Sequence, residues 1–260
     1  MKFHRIYGVI LRFLFLFRHS LDRLSDAFYW PTIDLLLWGL TSTFVKTYIN
    51  NSGFIIMVVT GILLWLIVWR AQYEITVNIL EDLWNDNFIN LFVSPLSFNE
   101  WTSAFVVIGV VKGLVSVTFA SGVAYLLYRV NFLSYGLYLI PFLFLLFMTG
   151  WAVGYFVAGL IVRYGTKVQM LAWSVVAVLS PFSGIYYPIS ILPHWAQQVS
   201  KIIPTSYIFE GARSVASTGS VDPKNIFTSF ALSCLYLILA LWFLRRSFLS
   251  ILRKGLVSLK

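Results

Sequence analysis

Uncharged stretches alternate with short clusters of Lys and Arg along this 260-residue chain. The uncharged runs occupy about 30–49, 53–69, 104–128, 132–162, 168–180 and 226–244. A hydrocarbon core of about 30 Å takes about 20 helical residues to cross, so these runs predict an all-α, polytopic membrane protein with six transmembrane helices. The fourth run is longer than a bilayer needs and contains Pro141. It is therefore expected to tilt, to project beyond the lipid or to break near the proline.

The fifth run passes into SPFSGIYYPISILPHW, residues 180–195, which carries three prolines and a glycine yet almost no charge. Irregular backbone at membrane depth is tolerated only where protein or a watery cavity satisfies it. Residues 181–218 are thus expected to form short re-entrant helices rather than a lipid-exposed helix end. Gly184 permits a tight reversal, Pro188 and Pro193 start or stop short helices, and Tyr186, Tyr187 and Trp195 suit an interfacial belt.

Two polar-apolar patterns flank the crossings. In residues 1–27, Arg5, Arg12, His19 and Asp26 recur every seven residues beside an apolar set that includes Phe13, Leu14, Phe17 and Leu21. This predicts an amphipathic helix lying in the membrane surface with its basic side chains toward headgroups. Packing of the same helix on protein is the other way to cover its apolar side. In the connection 70–100, residues 73–87 predict a second amphipathic helix, with Ile75, Ile79, Leu80, Leu83 and Trp84 toward one side and Glu74, Asn78, Glu81, Asp82 and Asp86 over the remainder.

Composition supports lipid as the solvent: 59% of residues are hydrophobic and only 11% are charged, against about a quarter in soluble domains. The net charge of +9 collects at the ends of the apolar runs, which fits a membrane surface better than nucleic acid. Thirteen Lys and Arg fall on the side of the two termini, and five, Lys46, Arg129, Lys201, Arg213 and Lys224, on the other. That asymmetry predicts cytoplasmic termini and a 251–260 cytoplasmic tail. Asp34 and Lys112 are the ionisable residues well within the runs, Lys46 lying near the end of the first. Lys112 is expected to snorkel and Asp34 to cap or pair locally, a pathway role being the alternative for both. Gly109 and Gly113, and Gly150, Gly154 and Ala158, have the spacing of close helix packing.

Chemistry is sparse. There is no GxxxxGK[ST] phosphate loop, no GxSxG and no HExxH; His4, His19 and His194 are scattered, and the single Cys234 allows no disulfide within the chain. Asp82 and Asp86, four apart, are the carboxylates that a membrane-bound transferase would use, and Asp34 or Lys112 would serve a secondary transporter. No metal site is expected.

The stretch SPFSGIYYPISILPHWAQQVSKIIPTSYIFEGARSV, 180–215, resembles the signature of type 2 ATP-binding cassette permeases. The matching residues are Pro181, Ser183, Gly184, Pro188, Leu192, Pro193, Trp195, Pro204, Tyr207, Glu210 and Arg213. EDLWNDNFINLFVSPLSFNEW, 81–101, is similar to that family's loop between the second and third crossings. The resemblance implies an exporter's membrane subunit that moves a lipid, drug or glycan-like substrate. It implies an external gate at 181–213 and an ATPase contact through Ile79, Leu80, Glu81, Leu83 and Trp84. It implies no cofactor on this chain, with ATP and Mg held by a partner ATPase subunit. The other partners implied are membrane lipids and a second copy or paralogous permease.

The basic-residue count generates a topology test. In a Cys234-free background, cysteines at Asn51 and Thr218 should react with an impermeant thiol reagent in intact cells, and cysteines at Thr166 and Ser258 should not. Labelling at Thr166 but not at Asn51 would reverse the orientation.

Overall fold

The computed structural model describes residues 2–49, 53–87, 90 and 94–254, so Asn51, most of 88–93, and tail residues 255–260 with Ser258 lie outside the description. Among the described residues the regular structure is helical, without strands. Helix α1 spans Phe3–His19, and α2 (Leu21–Leu24) leads through a π turn, Ser25–Tyr29, into α3, Trp30–Ile49. Helix α4 follows at Gly53–Trp84 and α5 at Phe98–Tyr128. A 3-10 run at Phe132–Tyr138 precedes α6, Leu139–Tyr164, and another at Gly165–Val168 precedes α7, Leu171–Ser183. After a 3-10 turn at Ile189–Ile191 come the short α8, His194–Ser200, and α9, Pro204–Thr218, then the long α10, Pro223–Lys254.

Four helical stretches are long and apolar enough to cross a membrane: Gly53–Trp84, Phe98–Tyr128, Phe132–Val168 and Pro223–Ile251. Helix α3 has the expected bounds and 20 residues, but carries Asp34 and Lys46. Helix α7 has 13 residues, about 20 Å of helix, which is too short to cross alone. Of the outcomes open for the fourth run, the described residues show a break, just before Pro141. Gly136 at φ 55° kinks the chain within the 3-10 segment, and Pro141 sits in the first turn of α6, where an amide proton has no intrahelical partner anyway.

Helix α4 occupies the middle of the bundle, touching α3, α5, α6 and α7. Close approach of α6 comes from Gly150 and Gly154: a Cβ at Gly150 would stand 2.6 Å from the Ala71 Cβ and 2.8 Å from the Val68 carbonyl oxygen. The small-residue spacing therefore marks the α4–α6 contact. Of the apolar window in Phe132–Val168, 78% is buried, against 17% in Pro223–Ile251, so α6 is an inner helix and α10 faces outward. Two apolar clusters stack along the bundle. One gathers Ile62, Phe142, Ile185 and Phe209; the other gathers Phe13, Ile75, Phe105, Tyr155, Leu244 and Ile251. They define a cap end and a terminal end.

Two expectations are corrected. Residues 73–84 are not a separate loop helix but the continuation of α4, since no Gly or Pro interrupts the chain from Ile62 to Trp84. Residues 1–27 are not one interfacial helix: extended backbone at Ser20 breaks it. Phe13, 1% exposed, packs against Phe105, while Phe3, Tyr7 and Phe15 remain exposed. One side of α1 thus lies on protein and the other is exposed.

Candidate functional site

At the cap end the proline-rich stretch folds back on itself. Gly184 terminates α7 in the left-handed region at φ 73°, which favours glycine. Pro188 precedes the 3-10 turn, Pro193 caps α8, and Pro204 is the first residue of α9, where its missing N–H costs nothing. The freed backbone groups find side chains. Arg213 donates from Nη1 to the Gly184 carbonyl at 2.6 Å and from Nη2 to Glu210 at 2.9 Å, while Glu210 Oε1 accepts the Ile189 amide at 2.8 Å. Ser200 donates to the Phe182 carbonyl (2.7 Å), Thr205 to the Ser183 hydroxyl (2.8 Å), and Tyr187 to the Pro181 carbonyl (2.9 Å). Tyr207 donates to the Lys201 carbonyl at 2.8 Å, and Trp195, largely exposed, meets Phe182 edge-on. The structure therefore brings Pro181, Ser183, Gly184, Glu210 and Arg213 into one tie, with Tyr207 and Trp195 at its margin. A Cβ at Gly61 would lie 2.4 Å from the Ile185 carbonyl oxygen, so the glycine lets α4 press directly on this cap.

At the terminal end a buried charge network replaces the expected snorkelling of Lys112. The Lys112 side chain is 2% exposed, and its Nζ donates to Glu74 Oε2 at 2.7 Å. Arg70, one turn before Glu74 on α4, donates to Oε1 at 2.8 Å. Asn78 donates to the Glu74 carbonyl and accepts from Arg23 Nη1 at 3.1 Å. Arg23 also pairs with Glu81, Arg12 with Asp82, and Arg5 with Glu100. Burial pushes the Arg23 guanidinium below its usual value, and the nearby Glu74 charge works in the opposite direction. The basic stripe of α1 and α2 thus answers the carboxylates of α4 and α5 rather than lipid headgroups.

The coupling residues separate into two groups. Ile79 and Leu80 are buried in the chain's own core, which corrects the expectation that they face a partner groove. Glu81 and Leu83 are partly buried, and Trp84, 48% exposed, forms the tip of α4 with its indole donating to Gln169 at 3.2 Å. The Asp82 carboxylate accepts from Arg12 and from Asn87, and Asp86 adopts φ 51° as the helix unwinds. Among the described residues no three His, Cys, Asp or Glu side chains stand together as metal ligands. Asp34 is not joined to Lys112; it opens onto a cavity of about 410 Å³ between α3, α4 and α7.

Sequence reasoning missed Arg12, Arg23, Arg70 and Glu74 as network members, and Ser200 and Thr205 as cap ties. The i,i+4 spacing of Arg70 and Glu74 was a usable signal. The pairing of Glu74 with Lys112, 38 residues away, required the fold.

Removing one partner of a buried ion pair strands the other charge, at about 3–5 kcal/mol. Lys112→Met should therefore lower the thermal stability of the purified chain sharply, and adding Glu74→Gln to it should recover part of the loss. A melting temperature unchanged by Lys112→Met would restore the snorkelling reading.

No curated protein matches the chain. The profile of the ABC-2 type transporter family matches residues 12–216, from α1 through the cap to the last turn of α9. The match takes in both ends of α4, the charge network except Arg5, and the proline-rich tie. With its apolar helices, the chain is a multi-pass membrane permease belonging to the ABC-2 type transporter family.

Proposed function

We propose that the chain is the membrane half of an ATP-driven exporter of the cell membrane, moving a lipid, drug or glycan-like molecule outward. Two copies, or one copy and a paralogous permease, work with two ATPase subunits that hold the ATP and Mg. In this reading α3, α4, α5, α6, α7 with the cap, and α10 are the six crossings, and the basic terminal end is cytoplasmic.

The observation that carries the proposal is the continuity of α4. Its 32 residues form a rod of about 48 Å, of which about 35 Å separates the cap contact at Gly61 from the exposed Trp84. Closure of the ATPases displaces the tip, the rod transmits the displacement, and the Gly184–Glu210–Arg213 tie shifts between closed and open arrangements. Nucleotide acts as a population shift: it favours the conformations compatible with closed ATPases.

Leu83→Asp with Trp84→Asp sets two charges into the contact, at a desolvation cost of several kcal/mol where it is dry. The chain should still insert and self-associate, while the ATPase subunit no longer co-purifies and stimulated hydrolysis disappears. Co-purification with normal hydrolysis would overturn the proposed contact.

A further inference from the structure

The cavity onto which Asp34 opens has walls that no part of the transport reading explains. Its volume of about 410 Å³ lies in the range that holds drug-sized ligands. Five tryptophans line it, Trp30, Trp38, Trp65, Trp69 and Trp173, with Tyr73 and Tyr186. Its charged lining residues are Asp26 and Asp34, and it has no Lys, Arg or His.

Three features narrow the chemistry of an occupant. The first is sign: two carboxylates in a low-dielectric wall attract a cation and repel phosphate or sulfate. Asp26 already accepts from the Tyr73 hydroxyl, whereas Asp34, about two turns further along the chain, makes no hydrogen bond or ion pair among the described residues. An uncompensated carboxylate within an apolar helix is costly, and an entering cation relieves that cost. The second is ring area. Indole is the best aromatic partner for a cation, and Trp38 is fixed by stacking on Tyr186 with centroids 4.5 Å apart. Tyr73 differs because Arg70 already lies over its ring at 5.3 Å, which leaves the tryptophans as the open faces. The third is the shortage of hydrogen-bonding groups. Apart from indoles, phenols and the two carboxylates, the lining side chains are Pro31, Leu35, Ile62, Leu63, Leu66 and Ala120. A glycan would find few partners for its hydroxyls, while a quaternary cation needs none.

We propose that this cavity binds an amphiphilic organic cation, an ammonium or phosphonium group bearing apolar arms, with Asp34 as its counter-charge and Trp38, Trp65 and Trp69 as surrounding faces. The proposal names the substrate class of the permease and in that sense rests on the exporter reading. Binding is measured without the ATPase, so the two can fail separately.

The full chain, in phosphatidylcholine nanodiscs, is dialysed to equilibrium against radiolabelled tetraphenylphosphonium, with empty nanodiscs to subtract lipid partitioning. Saturable binding is expected, displaced by unlabelled cation and not by the neutral octyl glucoside. The same-shaped anion tetraphenylborate, dialysed in its own radiolabelled form, should give no saturable site. Asp34→Asn should weaken cation binding about tenfold or more, since a close opposite charge is worth at least that in a partly dry site. Trp38→Leu should weaken it several-fold, and Asp222→Asn, at the exposed turn before α10, should leave it unchanged. Uptake equal to that of empty discs, saturable anion binding, or unaltered affinity in both Asp34→Asn and Trp38→Leu would overturn the proposal. If Asp34→Asn fails to fold, Trp38→Leu and the cation–anion comparison decide. Cation binding by a chain that recruits no ATPase would refute the exporter and keep the site; ATPase recruitment without cation binding would do the reverse.

Discussion

A carboxylate held away from water and lipid in the middle of a long helix sets the terms for half of this structure. Lys112 from α5 and Arg70 from its own helix bracket Glu74 there at 2.7 and 2.8 Å. Such a group is expensive to strand and gains little over a well-packed apolar replacement, so its main effect is on specificity. It fixes the register of α5 against α4. Through Asn78 and Arg23 it also fixes where α2 lies. The remaining pairs of the basic N-terminal segment, Arg12 with Asp82 and Arg5 with Glu100, then close over the same surface.

That arrangement determines the shape of α4. Its polar residues from Arg70 to Asp82 would leave the helix unstable in lipid and frayed in water; Lys112 of α5, the Ala172 carbonyl of α7, and Arg12 and Arg23 of the N-terminal segment hold them. Helix stability in such a segment comes from tertiary packing more than from propensity. The outcome is one rod with Gly61 against the cap and Trp84 at the opposite end. The cap is held by a different device, short side-chain bonds to carbonyls freed by proline and by the end of α7, with Arg213 at the centre. A movement at one end of α4 has a direct mechanical route to the other.

Much of the fold was legible because it depends on local signals. The bounds of α3 followed from the largely apolar run 30–49, and Pro188, Pro193 and Pro204 stand at helix starts as their chemistry requires. The family resemblance rested on residues that the fold does gather, Gly184, Glu210 and Arg213. What failed were inferences that treated charge as a boundary. Arg70 ends an apolar run without ending a helix, and Lys112 has a partner that sequence separation hides. The amphipathic pattern of residues 73–84 was read correctly, but both of its sides are covered by this chain: Ile75, Ile79 and Leu80 by the bundle, and Glu74, Asn78 and Asp82 by the ion pairs. Helix α7 matches its run 168–180 in length but lies three residues further along, because a 3-10 segment holds Gly165–Val168 and the helix continues until Gly184 ends it in the left-handed region.

The continuity of α4 is tested most directly by amide hydrogen exchange of the full chain alone in nanodiscs. Residues 72–82 are expected to exchange as slowly as residues 58–69, because they share one hydrogen-bonded helix and are almost all buried. Slow exchange up to Arg70 followed by rapid exchange from Gln72 to Asp82 would contradict it, and would make that segment a loop helix separate from the crossing.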